Sequence, residues 1–177
     1  GYGKKGHNGK SSLFKVVTAI VGQDNVAAIK MINFGKSRFD TSMLVGKILM
    51  LDDDLDKGVK LNDGLMKQIS EQKLITGEWK GGAHFQFMQY AAPVMLCNHL
   101  PSTNDLTKAM LTRANIIPFN AYFDPKDKNT DKQLFTRIIE QELPGVLNRF
   151  LDGLKRLRGR GRWEYPQKSK VVKNTWL

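Results

Sequence analysis

With 177 residues, 41% of them hydrophobic and 25% charged, the chain is long enough for one compact domain with a real core. No apolar run approaches the length of a membrane span and nothing resembles a signal peptide. The single cysteine, Cys97, excludes an internal disulfide and a cysteine-based zinc site, so an intracellular setting is expected. The net charge of +11 is unevenly placed, with nine Lys/Arg between positions 149 and 173 against only Asp152 and Glu164. Such a basic cluster favours a polyanionic partner, nucleic acid ahead of an acidic membrane surface.

The chain opens on His7-Asn8-Gly9-Lys10-Ser11-Ser12, followed by the apolar residues Leu13, Phe14, Val16, Val17 and Ile20. This reads as a glycine-rich loop running into a helix over residues 9–21. Backbone N–H groups of such a loop point inward and cradle phosphates. Lys10 is then placed to reach the β- and γ-phosphates, and the Ser11 hydroxyl to ligate Mg²⁺. The pattern GxxxxGK[ST] is not met to the letter: Lys4 stands at the first glycine position, with Gly3 and Gly6 on either side. A phosphate loop normally follows a buried strand, and only Gly1 and Tyr2 precede this one. The expectation is a piece of a longer protein, or a first strand that is missing.

Residues 24–34 carry apolar side chains at Val26, Ile29 and Ile32 and read as a second helix, with Asp24 as N-cap. Residues 44–51 end in Ile48-Leu49-Met50-Leu51, a run that suits a buried parallel strand, followed by Asp52-Asp53-Asp54. Carboxylates at the carboxyl edge of such a sheet lie beside a phosphate loop, where one can hold the Mg²⁺ shell and a neighbour can orient the attacking water. Residues 62–72 read as a helix capped by Asn62. Residues 76–82 are turn-rich and lead into the alternation of residues 84–87, a hairpin signal. Residues 94–97 read as a short buried strand with Asn98 at its tip, where an amide can touch the γ-phosphate or its water. A short helix over 105–113, a strand over 115–119, a polar loop over 124–131 and a helix over 131–140 follow. Pro144 suits the first turn of a last helix running to about Arg158. The basic tail from Gly159 holds Trp163, Tyr165 and Trp176, which can stack on bases or pack as structure, the latter preferred. Strands alternating with helices make the fold class α/β with a mostly parallel sheet.

The order of these segments carries a resemblance. Gly-Lys-Ser, Leu44-Val45-Gly46-Lys47 leading into the aspartates, Leu74-Ile75-Thr76-Gly77-Glu78, Cys97-Asn98-His99-Leu100-Pro101, Thr112-Arg113-Ala114-Asn115-Ile116-Ile117-Pro118-Phe119 and Glu142-Leu143-Pro144-Gly145-Val146-Leu147-Asn148 follow in turn. Together they resemble the superfamily 3 helicase domain of phage and plasmid primases, often the C-terminal half of a primase–helicase or primase–polymerase. The likeness spans positions 3 to about 166. It departs from the family at Thr112, where a second arginine is frequent, and at Arg149, where an aromatic is frequent. The segment between Glu78 and Phe85 is also shorter than is typical.

The resemblance implies an AAA+-like P-loop ATPase core over residues 1–130, with a β-hairpin insertion, and a C-terminal helical segment over 131–177. It implies ATP and Mg²⁺ as cofactors, with Gly6, Asn8, Gly9, Lys10, Ser11 and Ser12 around the nucleotide and Ser11 and Asp53 around the metal. The acidic pair falls on Asp53 and Asp54 counted from Gly46-Lys47, or on Asp52 and Asp53 counted from the strand end. Asn98 matches the sensor asparagine, and Arg113 the arginine finger that reaches a neighbouring subunit's γ-phosphate. Lys80, with Trp79 or His84, becomes the candidate contact to DNA. The implied partners are single-stranded and fork DNA, further copies of the chain in a ring, as a hexamer, and a primase or polymerase domain in the same full-length protein. The setting is the cytoplasm of a phage or plasmid host. Two other readings stay open: a P-loop ATPase serving packaging or loading, and an inert nucleic-acid-binding module.

Overall fold

A computed structural model describes residues 1–103 and 112–176. Its centre is a parallel sheet of three strands in the order β1–β2–β5: β1 (Val26–Ala28), β2 (Leu49–Leu55) and β5 (Ala92–Cys97). Leu49, Met50 and Leu51 of β2 pair with Val26, Ala27 and Ala28 on one side and with Ala92, Pro93 and Val94 on the other. A strand with a neighbour on each side hides both faces, which is why β2 begins as an unbroken apolar run. Beyond β5 the sheet is carried on by single bridges: Tyr2 lies parallel to Cys97 and, on its other side, to Pro118. Tyr2 N–H donates to Ile117 O at 2.9 Å, Phe119 N–H to Tyr2 O at 2.7 Å, and Gly3 N–H to Cys97 O at 3.1 Å. Residues 1–3 therefore fill the slot between β5 and the 117–119 segment.

α1 (Lys10–Val21) follows directly, with Gly9 as its left-handed N-cap residue, and buries Val16. It ends where Gly22 turns to φ 87° and donates its N–H to Thr18 O. α2 (Asp63–Ser70) is capped as its sequence predicts: the Asn62 side chain accepts from Leu65 N–H, and Met66 and Ile69 are buried. β3 (Leu74–Glu78) and β4 (His84–Met88) form the expected antiparallel hairpin, Leu74 opposite Met88 and Glu78 opposite His84. Leu44, Met50, Ile69, Leu96 and Val59 are the largest apolar side chains that are fully buried among the described residues.

The C-terminal part is helical. α3 (Leu134–Arg137) passes through a π-helical turn, Ile138–Glu142, into α4 (Leu143–Arg160), with Pro144 in its first turn and Gly161 in the left-handed conformation at its end. None of the residues of α4 is buried, and Leu147, Phe150, Leu151 and Leu154 form an exposed apolar stripe at helical spacing. α5 (Gln167–Thr175) follows Pro166. Among the described residues, no helix is long and apolar enough to cross a membrane.

Several expected elements differ. Residues 24–34 are not a helix: a 3₁₀ turn (Gln23–Asn25) leads into β1, and Ala27, Ile29 and Met31 are buried while Ala28, Lys30 and Ile32 face outward. The working period there is two, hidden because exposed Ala28 and Ile32 are also apolar. Pairing with β2 overrides the weak helical spacing. The strand expected over 44–51 begins only at Leu49, since Leu44 ends a 3₁₀ turn (Asp40–Leu44), and it continues through the aspartates to Leu55. Its register slips between Asp52 and Leu55, a bulge where three acids crowd one strand. Residues 115–119 contribute a single bridge at Pro118 rather than a strand. Within the basic tail, Gln167–Thr175 form α5. The helix expected over 105–113 lies outside the described residues except for Thr112 and Arg113, which are helical.

Candidate functional site

The loop before α1 is shaped by two residues in the left-handed region, His7 (φ 52°) and Gly9 (φ 81°). Between them Asn8 is 6% exposed. Its Nδ2 donates to Lys5 O at 2.7 Å, and its Oδ1 accepts from Lys10 N–H at 3.3 Å, so one amide ties both halves of the loop. Gly3 admits no side chain, since a Cβ there would stand 2.1 Å from Asn8 Nδ2 and 2.8 Å from Phe119 O. The far wall is held by Phe123, whose N–H donates to His7 O at 2.8 Å. Gly6 and Ser11 are exposed and Ser12 is half-buried.

Lys10, the first residue of α1, is 7% exposed. Its Nζ donates to Asn98 Oδ1 at 2.6 Å. These residues are 88 apart in sequence and meet because α1 starts where residues 1–3 leave the sheet and Asn98 stands just past β5. The partner is a neutral amide, and among the described residues Lys10 makes no ion pair. A buried ammonium without a counter-ion is costly and creates a place for an anion. The structure thus brings together Lys10, Asn8, Gly9 and Asn98.

The aspartates are arranged differently from one another. Asp52 is 2% exposed; its Oδ2 accepts from Met31 N–H at 2.7 Å and its Oδ1 from Lys30 Nζ at 3.2 Å. Lys30 Nζ also reaches Asp53 Oδ1 at 3.2 Å and Asp54 O at 3.1 Å. Burial alone would lower the Lys30 pKa, but the hydrogen bonds and charges of Asp52 and Asp53 outweigh it and raise it. Asp53 is largely exposed and Asp54 lies on the surface. Lys30 had no signal in the sequence, because its link to the acids depends on the pairing of β1 with β2. Among the described residues no three His, Cys, Asp or Glu side chains gather as a metal cage. A hydrated Mg²⁺ between phosphates, one hydroxyl and one carboxylate needs no such cage.

Arg113 pairs within the chain with Glu71, which also pairs with Lys73. Hydrogen bonds from Lys73 and Arg113 hold the Glu71 carboxyl below its ordinary pKa. At the hairpin, Lys80 is exposed in the tip, where Gly82 N–H donates to Trp79 O at 2.9 Å. Trp79 is 52% exposed and stacks on Phe85 with ring centroids 5.3 Å apart, and Phe85 leans on Phe87 at 5.8 Å. His84 closes the turn opposite Glu78, beside the tip, its Nδ1 3.3 Å from Glu78 Oε2, while Arg38 Nε lies 3.2 Å from Glu78 Oε1.

A small parallel sheet with a loop-headed helix at its carboxyl edge defines a mixed α/β protein. The chain belongs to DUF5906, a family of unknown function whose model matches residues 1–113. No curated protein matches the sequence. In shape, the chain is similar to the C-terminal region of NrS-1 in two apo structures, with TM-scores of 0.63 and 0.51 at 12% identity. Each alignment covers 80% of this chain and 33% of the NrS-1 chain, so this chain spans about a third of the structures it resembles. The likeness is one of fold.

Proposed function

We propose that this chain is the ATP-hydrolysing core of a DNA helicase of phage or plasmid replication, working as a ring on single-stranded DNA. The observation that carries the reading is Lys10: a buried ammonium at the head of α1, under a loop with two left-handed residues, with only a neutral amide as partner. Triphosphate oxygens supply the missing negative charge, and the α1 N-terminus adds its own partial positive charge. Lys10 holds the β- and γ-phosphates, and Asn98, already on Lys10, orients the γ-phosphate or the water beside it. Ser11 and Asp53 would hold Mg²⁺, which neutralises charge on the transferred phosphoryl group. Asp53 or Asp54 orients the attacking water, and Asp52 fixes the strand they stand on. Arg113 exchanges Glu71 for the γ-phosphate of a neighbouring subunit. Lys80 and Trp79 present a cation and an indole face to the DNA strand.

The competing reading is an inert nucleic-acid-binding module. It is favoured by one feature: Asp52, Asp53 and Arg113 already have partners inside the chain. Phosphate release from ATP, measured with and without single-stranded DNA over a range of protein concentrations, separates the two. The ring reading expects turnover that rises with concentration and with DNA, roughly 10²-fold lower in Lys10→Ala. It also expects partial recovery when Lys10→Ala and Arg113→Ala chains are mixed, because each supplies what the other lacks. Turnover indistinguishable from Lys10→Ala, with DNA binding intact, leaves the inert module.

A further inference from the structure

The basic tail has a task that its charge conceals. Three of its side chains donate hydrogen bonds to backbone carbonyls of two segments that the proposed site uses. Tyr165 Oη donates to Thr112 O at 3.3 Å, and Lys173 Nζ to Ala114 O at 3.0 Å. These carbonyls flank Arg113 on either side. Trp176 Nε1 donates to Pro101 O at 2.6 Å, three residues beyond Asn98, and its ring packs against the hydrophobic core. Two of the donors are themselves coupled: the Lys173 ammonium lies 4.5 Å from the centre of the Tyr165 ring, within cation–π range. Burial lowers the Lys173 pKa, as expected of a cation drawn off the surface to meet a carbonyl. In the same helix Ser169 is only 4% exposed, so α5 is seated against the domain.

From this geometry we infer that residues 165–176 form a strap that positions Arg113, with Tyr165 and Lys173 as its positioning residues and Trp176 anchoring it to the core. The inference rests on the reading of Arg113 as the group that meets a neighbouring subunit's ATP. An arginine that crosses an interface acts through a fixed fork geometry, and a displacement of about 1 Å can cost up to ~10²-fold in rate. Glu71 holds the guanidinium, but a contact at the far end of the side chain does not fix the backbone beneath it. The strap does so from both sides of the residue. It gives the tail's lysines a structural use, so the +11 chain spends Lys173 on a carbonyl rather than on a polyanion.

The test uses the full chain with Lys173→Met and Tyr165→Phe, singly and together, and Lys173→Arg as the conservative form. Each is compared with Arg113→Ala and combined with it. The double variant is expected to lower kcat roughly 10-fold with KM for ATP unchanged, since the nucleotide is held by Lys10 and its loop. Lys173→Arg keeps the donor and the cation and is expected to stay within about twofold of the parent. In the Arg113→Ala background the strap changes should add nothing, because the residue they serve is gone. A further multiplicative loss there, or a rise in KM, would make the strap a general structural support and overturn its positioning role. Full activity of the double variant beside a slow Arg113→Ala protein overturns the strap alone. Arg113→Ala at the parental rate overturns the assignment of Arg113, and the strap's catalytic purpose with it.

Discussion

At the scale of single residues, three adjacent aspartates illustrate how position on a strand decides what a carboxylate does. Asp52, on β2, is buried and accepts a backbone N–H from Met31, while Asp53 is on the surface and shares the Lys30 ammonium. Replacing Asp52 with alanine leaves the buried Met31 N–H without an acceptor, a loss of about 1–3 kcal/mol. Asp53→Ala at an exposed pair should change stability by less than about 0.5 kcal/mol. Urea unfolding of the two variants checks this, and equal losses would mean that Asp53 is as structural as Asp52. Hydrolysis should respond in the opposite sense to stability, with Asp53→Ala the slower of the two relative to its fold. Lys10 and Asn98 each stand out in the sequence, as a Gly-Lys-Ser helix start and a polar strand tip, but the hydrogen bond between them is seen only in the structure. The partners of Asp52 and Arg113 are not legible in the sequence at all, because Lys30, Met31 and Glu71 reach them only through strand pairing and packing that no local spacing announces.

At the scale of elements, what could be read depended on whether the signal was local. The hairpin was legible because turn residues and alternation lie within about a dozen positions, and α2 because Asn62 and its apolar face are contiguous. β1 is not legible in this way, since three residues paired to a distant strand show no period of their own. The hairpin also shows why glycine stands at position 77. A Cβ there would lie 2.8 Å from Phe85 Cζ and 3.2 Å from Phe87 Cε1. Gly77→Ala should push the Phe85 ring out from under Trp79, at a cost of about 1–3 kcal/mol. Near-UV circular dichroism of the indole and the thermal midpoint should both fall. A variant with unchanged spectrum and midpoint would mean that the aromatic ladder does not order Trp79. Under the proposed function the same variant should bind single-stranded DNA more weakly while keeping its affinity for ATP, because Lys10 and its loop lie outside the hairpin.

At the scale of the whole molecule, the sheet and the C-terminal helices are built on unlike terms. β2 runs between two strands and buries four of its seven residues, whereas α4, at 18 residues, buries none and contains Gly145, Gly153 and Gly159. Helices draw most of their stability from a buried face rather than from intrinsic propensity. The chain should therefore open in parts. In native-state amide exchange at low protein concentration, α4 should lose its protons through local openings far cheaper than global unfolding, while the amides of Leu49–Leu51 wait for the global event. If α4 is as well protected as β2 under those conditions, the two belong to one cooperative unit and the uneven architecture has no energetic counterpart. If α4 gains protection as concentration rises while β2 does not, the stripe of Leu147, Phe150, Leu151 and Leu154 reports association directly. The chain would then carry its own gauge of assembly, a helix whose residence time in the folded state lengthens with the number of neighbours it has found.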